Sequence, residues 1–173
     1  MRIQIRAAVA LSCLGRSRSS QVEALRSGTS GVAPATAECL VAREGVPLGL
    51  VRGVDDSDGR AFGLLDRVLD EAMAAAGLGA SQREGCAVLV GTSGGLASQD
   101  ELPSLRKIRR GEPWRAQMLC GGAGRLAAHA TARLGTHAPP FTYTTACTSS
   151  GVALVLAAKM LRAGQIPRAL VVG

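Results

Sequence analysis

Cys147 stands in the run Thr145-Ala146-Cys147-Thr148-Ser149-Ser150-Gly151, where small residues join a β-branched, aromatic stretch to a helical pattern. A thiol at such a turn can become a nucleophile. Phe141 to Thr145 reads as the strand, and apolar Val152, Val155, Leu156 and the Lys159 stem recur at helical spacing, predicting a helix over Ser149 to Arg162 that Gly164 caps. A cysteine in the first turn of a helix meets unpaired backbone N–H groups and the positive end of the macrodipole, and both favour thiolate over thiol. The competing reading of a free cysteine is a small, inert core hydrophobe.

Other candidates are weaker. Gly91-Thr92-Ser93-Gly94-Gly95 follows an apolar run and could cradle a phosphate, yet it has neither the P-loop Lys-Ser/Thr nor a G-x-G-x-x-G spacing. A turn that lets backbone pass close to another element is the preferred reading. His129 falls mid-helix and His137 in the turn before Pro139, positions that suit structural or solvent-exposed roles. Arg106-Lys107-Ile108-Arg109-Arg110 carries part of a net charge of +7, which fits either a solvated face or an acidic partner. Nucleic acid is disfavoured, because only Phe62, Trp114, Phe141 and Tyr143 could stack on bases.

The elements around Cys147 alternate. Ile3 to Leu11 reads as a strand and Ser20 to Arg26 as a short helix stopped by Gly28. Gly31 to Asp58 is loop-rich and includes an acidic turn at Asp55-Asp56-Ser57-Asp58-Gly59. Leu64 to Ala76 is an amphipathic helix with Leu65, Val68, Leu69, Ala72 and Met73 on one face and Gly77 at its end. Cys86 to Val90 is an apolar run short enough for a buried parallel strand, Ala123 to Leu134 an Ala-rich helix ended by Gly135, and Arg168 to Val172 a further strand. This order predicts an α/β fold with right-handed β-α-β units and a mostly parallel sheet covered on both faces.

The 173 residues suit one domain, and 47% hydrophobic content with little low-complexity sequence marks the chain as globular. With so few aromatic side chains, its core must be built from Ala, Leu and Val. The five cysteines (Cys13, Cys39, Cys86, Cys120 and Cys147) are odd in number and show no C-x-x-C pair, which disfavours a disulfide framework or a structural zinc site and suits a reducing cytoplasm. No apolar run approaches the roughly 18 to 20 residues of a membrane span. Met1 to Leu14 has the charge order of a short signal peptide but no small-x-small site after it, and a buried first strand explains the same residues.

The chain resembles the N-terminal part of the β-ketoacyl-acyl carrier protein synthases, condensing enzymes with the thiolase-like fold. The most specific residues are Phe141 to Gly151, Ala157-Ala158-Lys159-Met160-Leu161-Arg162-Ala163-Gly164 and Ala169 to Gly173, with support from Val22 to Gly31, Val90 to Gly95 and Ala123 to Ala127. At the start, Ile5 to Val9 and Ser12-Cys13-Leu14-Gly15 stand where the family has a Val-Thr-Gly-x-Gly turn and then Ser-Pro-x-Gly. Two glycines and a proline of that pattern are replaced. The resemblance makes residues 1–173 an N-terminal synthase domain and implies an incomplete half of the fold, with a mixed or mostly parallel sheet flanked by helices. Family enzymes are much longer, and their C-terminal half supplies two histidines (or a histidine and an asparagine), a lysine and a Gly-Phe-Gly type loop that is absent here.

What the resemblance implies chemically is a decarboxylative condensation in fatty acid or polyketide synthesis. Cys147 takes the acyl group of an acyl thioester from acyl carrier protein, with its backbone N–H as one oxyanion donor, and the carbanion of a malonyl thioester attacks it to give a 3-oxoacyl product. The family needs no cofactor and no metal, and works as a homodimer or heterodimer. Neither His129 nor His137 matches a family catalytic histidine. The alternative is a non-catalytic remnant or partner subunit of a full-length synthase; the missing histidines favour it, and the retained Cys147 opposes it. A cysteine-dependent α/β hydrolase is disfavoured because no acid and no histidine follow Cys147.

Overall fold

The computed structural model describes residues 2–35, 44–51, 53–54, 60–93, 107–112 and 122–173. In chain order these form α1 (Arg18–Arg26), β1 (Ala33–Pro34), β2 (Pro47–Leu48), α2 (Arg60–Ala76), α3 (Ala80–Arg83), β3 (Cys86–Gly91), α4 (Gly124–Leu134), β4 (Phe141–Tyr143), a 3-10 turn (Ala146–Thr148), α5 (Ser149–Arg162) and β5 (Arg168–Val172). The acidic turn 55–59, Gly94, Gly95, Arg106, Trp114, Cys39 and Cys120 lie outside the described residues.

β3 is the axis of the fold. All six of its residues are buried, and it pairs in parallel with β4 on one edge (Leu89 with Phe141, Gly91 with Tyr143) and with β5 on the other (Cys86 with Arg168 through Val90 with Val172). A strand enclosed on both edges and both faces has no polar side, which is why its sequence is a continuous apolar run. Its period-two alternation divides the core. Cys86, Val88 and Val90 face Leu65 and Leu69 of α2 and Ala127, Ala130 and Leu134 of α4. Ala87 and Leu89 face Ala153 and Ala157 of α5. Alanine on the helix faces lets the helices approach the sheet closely, so a dense core forms without aromatic volume.

The helix ends follow local chemistry. Ser17 caps α1 through a reciprocal bond with Ser20, which starts the helix two residues ahead of the predicted Ser20. After α5, Gly164 at φ +69 lets its N–H bond Leu161 O and lets the Gln165 N–H bond Met160 O, the Schellman pattern. On α2, Arg60 donates to the carbonyls of Val51 (2.9 Å) and Val54 (2.6 Å), and Arg67 donates to the carbonyl of Gly53. These contacts tie the preceding loop to the helix. β1 and β2 form a separate antiparallel ribbon.

The predicted strand over Ile3 to Leu11 is corrected. That segment is extended but joins no ladder, and the nearest pairing is an isolated bridge between Ser12 and Gly15. Alternation specifies a face and not a partner. Ile3, Ala7, Val9 and Leu11 are half-buried while Ile5 is 75% exposed, and the segment pairs with neither outer edge of the β4-β3-β5 sheet. Among the described residues no helix is long and apolar enough to cross a membrane. α5 has apolar residues beyond its core face: Leu154 and Val155 are each 53% exposed.

Candidate active site

The C-terminal ends of β3, β4 and β5 lie side by side, where open parallel sheets place their ligand sites. β4 stops at Tyr143, two residues short of the predicted Thr145, because the chain turns there into an elbow. Thr145 has φ −120 and ψ 42, and Ala146 follows at φ +51, the one non-glycine residue with positive φ among those described. Cys147 comes next, exposed, in the 3-10 turn that runs straight into α5.

The elbow is held from inside. Ser149 is only 2% exposed, and its Oγ accepts the Thr145 N–H (2.8 Å) while donating to the Ala146 carbonyl (2.7 Å). Thr148 bonds the Thr145 carbonyl twice, from its N–H (3.2 Å) and its Oγ1 (2.7 Å). A non-glycine residue in the left-handed region costs about 1–2 kcal/mol, and each of these bonds returns about 1 kcal/mol net. The two effects are of the same size, so the bonds suffice to hold the turn. The first backbone bonds of the turn are donated by Thr148 and Ser149, and the Cys147 N–H lies ahead of them in the chain.

Two glycines seat this turn on the sheet. A Cβ on Gly91, the last residue of β3, would overlap the Ser149 carbonyl and sit 2.6 Å from the Ser150 N. A Cβ on Gly173, just beyond β5, would lie 2.5 Å from the Ser150 Cβ. The close-passage reading of Gly91 therefore holds, and what passes is the start of the helix that follows Cys147.

The other candidates are dispersed. His129 of α4 bonds the Asp66 Oδ1 of α2 through Nε2 at 2.7 Å, and its ring lies 4.7 Å from that of Phe62. Arg133 forks onto Asp70 at 2.9 Å to both oxygens. This group joins α2 to α4 on the face of β3 opposite α5, so His129 is structural as expected. His137 is exposed and donates its backbone N–H to Glu84 O. Buried Thr136 anchors the same turn, its Oγ1 lying 2.7 Å from Glu84 O and 2.9 Å from Cys86 O. Lys107, Ile108, Arg109 and Arg110 are all exposed, and the Arg110–Glu112 pair at 3.7 Å is a screened surface contact.

Cys86 shows what a non-reactive thiol looks like in this fold. Burial pushes it above the ordinary thiol range, with the Arg168 charge and the Leu170 backbone offsetting part of that rise. Cys13, half-buried, packs against Gly31 and Gly49, and all three described cysteines are free thiols. No group of three or more His, Cys, Asp or Glu among the described residues could hold a metal ion.

Ser149 was missed from the sequence. The signal was its register: Ser149, Ala153 and Ala157 recur every four residues and form the buried face of α5. A hydroxyl on that face must find its partners inside the protein.

Residues 57–173 match the sequence model of the beta-ketoacyl synthase N-terminal domain. The matched span contains the whole three-stranded sheet, α2, α4, α5 and the elbow, while α1 and the β1–β2 ribbon precede it. No curated protein matches the chain.

Proposed function

Since the chain belongs to the beta-ketoacyl synthase family of condensing enzymes, a thiolase-like fold, we propose that Cys147 is the acyl-accepting nucleophile of a 3-oxoacyl-acyl carrier protein synthase. The observation that carries this reading is the elbow itself: an exposed thiol follows a strained residue at the mouth of parallel strands, in the 3-10 turn that leads into a long helix.

In the proposed sequence, the Cys147 thiolate adds to the thioester carbonyl and the oxyanion faces the Cys147 N–H. The carbon–sulfur bond to the carrier breaks, the carrier thiol leaves with a proton, and the acyl group remains on Sγ. A malonyl thioester on a second carrier then loses carbon dioxide, and the electron pair released becomes the carbanion that attacks the acyl carbon. The new carbon–carbon bond expels the Cys147 thiolate and leaves a 3-oxoacyl thioester on the carrier. Decarboxylation needs donors at the enolate oxygen. His129 is bonded to Asp66 and His137 lies at the other end of the strands, beside Glu84, so neither is placed to supply them.

The protein would work in the cytoplasm, in fatty acid or polyketide synthesis, as one domain spanning residues 1–173 that pairs in a homodimer or heterodimer. The engagement of His129 with Asp66 and the placement of His137 beside Glu84 also favour a second reading, a partner subunit or remnant that acts beside a full-length synthase. Incubation with an acyl thioester and intact-mass analysis separates the two. A single acyl adduct that disappears in Cys147→Ala and persists in Cys13→Ala supports the nucleophile; no adduct, or one that survives Cys147→Ala, overturns it and leaves the partner reading.

A further inference from the structure

We propose that Ser149 is the positioning residue of this site: its buried hydroxyl, bridging the Thr145 N–H and the Ala146 carbonyl, holds Ala146 in the left-handed region and thereby sets how the Cys147 thiol is presented. The proposal deepens the reading of Cys147 as nucleophile and rests on it. Neither chain neighbour of Cys147 is bulky enough to orient it, since Ala146 is a methyl and Thr148 is exposed. Its direction follows from the backbone on either side. On the C-terminal side that backbone is clamped, because Gly91 and Gly173 admit the Ser149–Ser150 turn with no space to spare. On the N-terminal side the constraint is the Ser149 bridge at 2.8 and 2.7 Å.

The other hydroxyl of the turn does a different job. Thr148 Oγ1 donates to Thr145 O, but Thr148 is exposed, so water can replace that bond, and the Thr145 carbonyl keeps the Thr148 N–H. Ser149 is buried, and no water substitutes for it. Removing its hydroxyl leaves the Ala146 carbonyl the Ser149 N–H but leaves the Thr145 N–H without its acceptor. Thr145 is itself exposed, so that N–H turns outward to water, and with the inward bridge gone Ala146 is released and Cys147 moves.

The test reads Cys147 itself, by the rate of iodoacetamide alkylation at fixed pH on the full chain, alongside thermal unfolding. Ser149→Ala should slow Cys147 alkylation about tenfold, the scale of a small misplacement of a reacting group, and Ser149→Thr, which keeps the hydroxyl, should recover most of the rate. Ser150→Ala, which removes a hydroxyl from the same turn outside the bridge, should leave the rate unchanged. A Ser149→Ala protein with lowered stability and unaltered alkylation would make Ser149 merely structural and overturn the proposal, as would equal slowing in Ser150→Ala. Should Ser149→Ala not fold, hydrogen exchange in the unaltered protein decides: a protected Thr145 amide supports the bridge, and one exchanging at the unprotected rate removes it. A hydroxyl-dependent alkylation rate in a protein that no acyl thioester labels would keep the positioning role and dispose of the condensing reaction.

Discussion

Gly91 ends the central strand directly against the Ser149 carbonyl, so close that the smallest side chain at 91 would overlap it. The strand most deeply buried in the fold and the helix that follows Cys147 are thus in backbone contact at one point. That point lies two residues along the chain from Cys147.

Gly91→Ala should therefore act on the site and on stability together. The added methyl meets backbone, which cannot rotate away, and overpacking of this kind costs about 1–3 kcal/mol. Denaturant unfolding should show that loss, and acyl transfer to Cys147 should fall in the protein that remains folded. Unchanged unfolding and labelling would mean that the helix start is free to lift off the sheet.

Ala146 offers a test of the elbow that leaves the core alone. A β-branched side chain is disfavoured at positive φ, so Ala146→Val should destabilise the turn by about 1–3 kcal/mol and slow labelling of Cys147. Ala146→Gly, which adopts φ +51 without strain, should keep labelling near the original rate. Equal behaviour of the two variants would show that the left-handed conformation is not required.

The Asp66–His129 pair should matter to packing alone. Both side chains are about a third exposed (36% and 33%), so solvent screens the pair and His129→Ala should cost no more than about 1 kcal/mol. Single-turnover acylation of Cys147 should be unaltered. A collapse of acylation in a folded His129→Ala protein would return that histidine to the chemistry.

Cys86 predicts a pH dependence with a definite sign. Its thiol is held above the ordinary value by burial, so above about pH 8.5 the unfolded chain loses a proton that the folded chain keeps. The unfolded state then binds fewer protons, and stability falls as pH rises. The stability advantage of the native protein over Cys86→Ala should be complete below that pH and shrink above it. In the folded protein alkylation should reach Cys147 and spare Cys86.

The basic segment at Lys107 to Arg110 is exposed and suits an acidic carrier protein. Paired Arg109→Glu and Arg110→Glu changes should slow acylation from a carrier-bound donor, more strongly at low salt, and leave acylation by a small thioester unchanged. Equal rates from both donors would return the segment to a solvated face.

Much of this was legible in the order of residues. The helix over Ser149 to Arg162 and the strand over Arg168 to Val172 match their predicted bounds, and the Cys86 strand runs one residue further, to Gly91. The helix carries a periodic apolar pattern and the two strands short continuous apolar runs, each closed by glycine, local signals that survive packing. Ile3 to Leu11 also carries an apolar pattern and forms no strand, because a ladder needs a partner as well as a pattern, and partners are assigned by the tertiary structure. His129 could be set aside by its mid-helix position, but its Asp66 partner, 63 residues away in the chain, had no sequence signature.

By itself the sequence determined the alternation of elements, the small-residue core and the place of Cys147 between strand and helix, since these follow from side-chain size and periodicity along the chain. The tertiary structure decided the rest: that Ala146 turns left-handed, that Ser149 faces inward to hold it, and that Gly91 and Gly173 form the seat beneath. Those relationships join residues that become neighbours only when β3, β4 and β5 lie side by side and the helix closes over their ends.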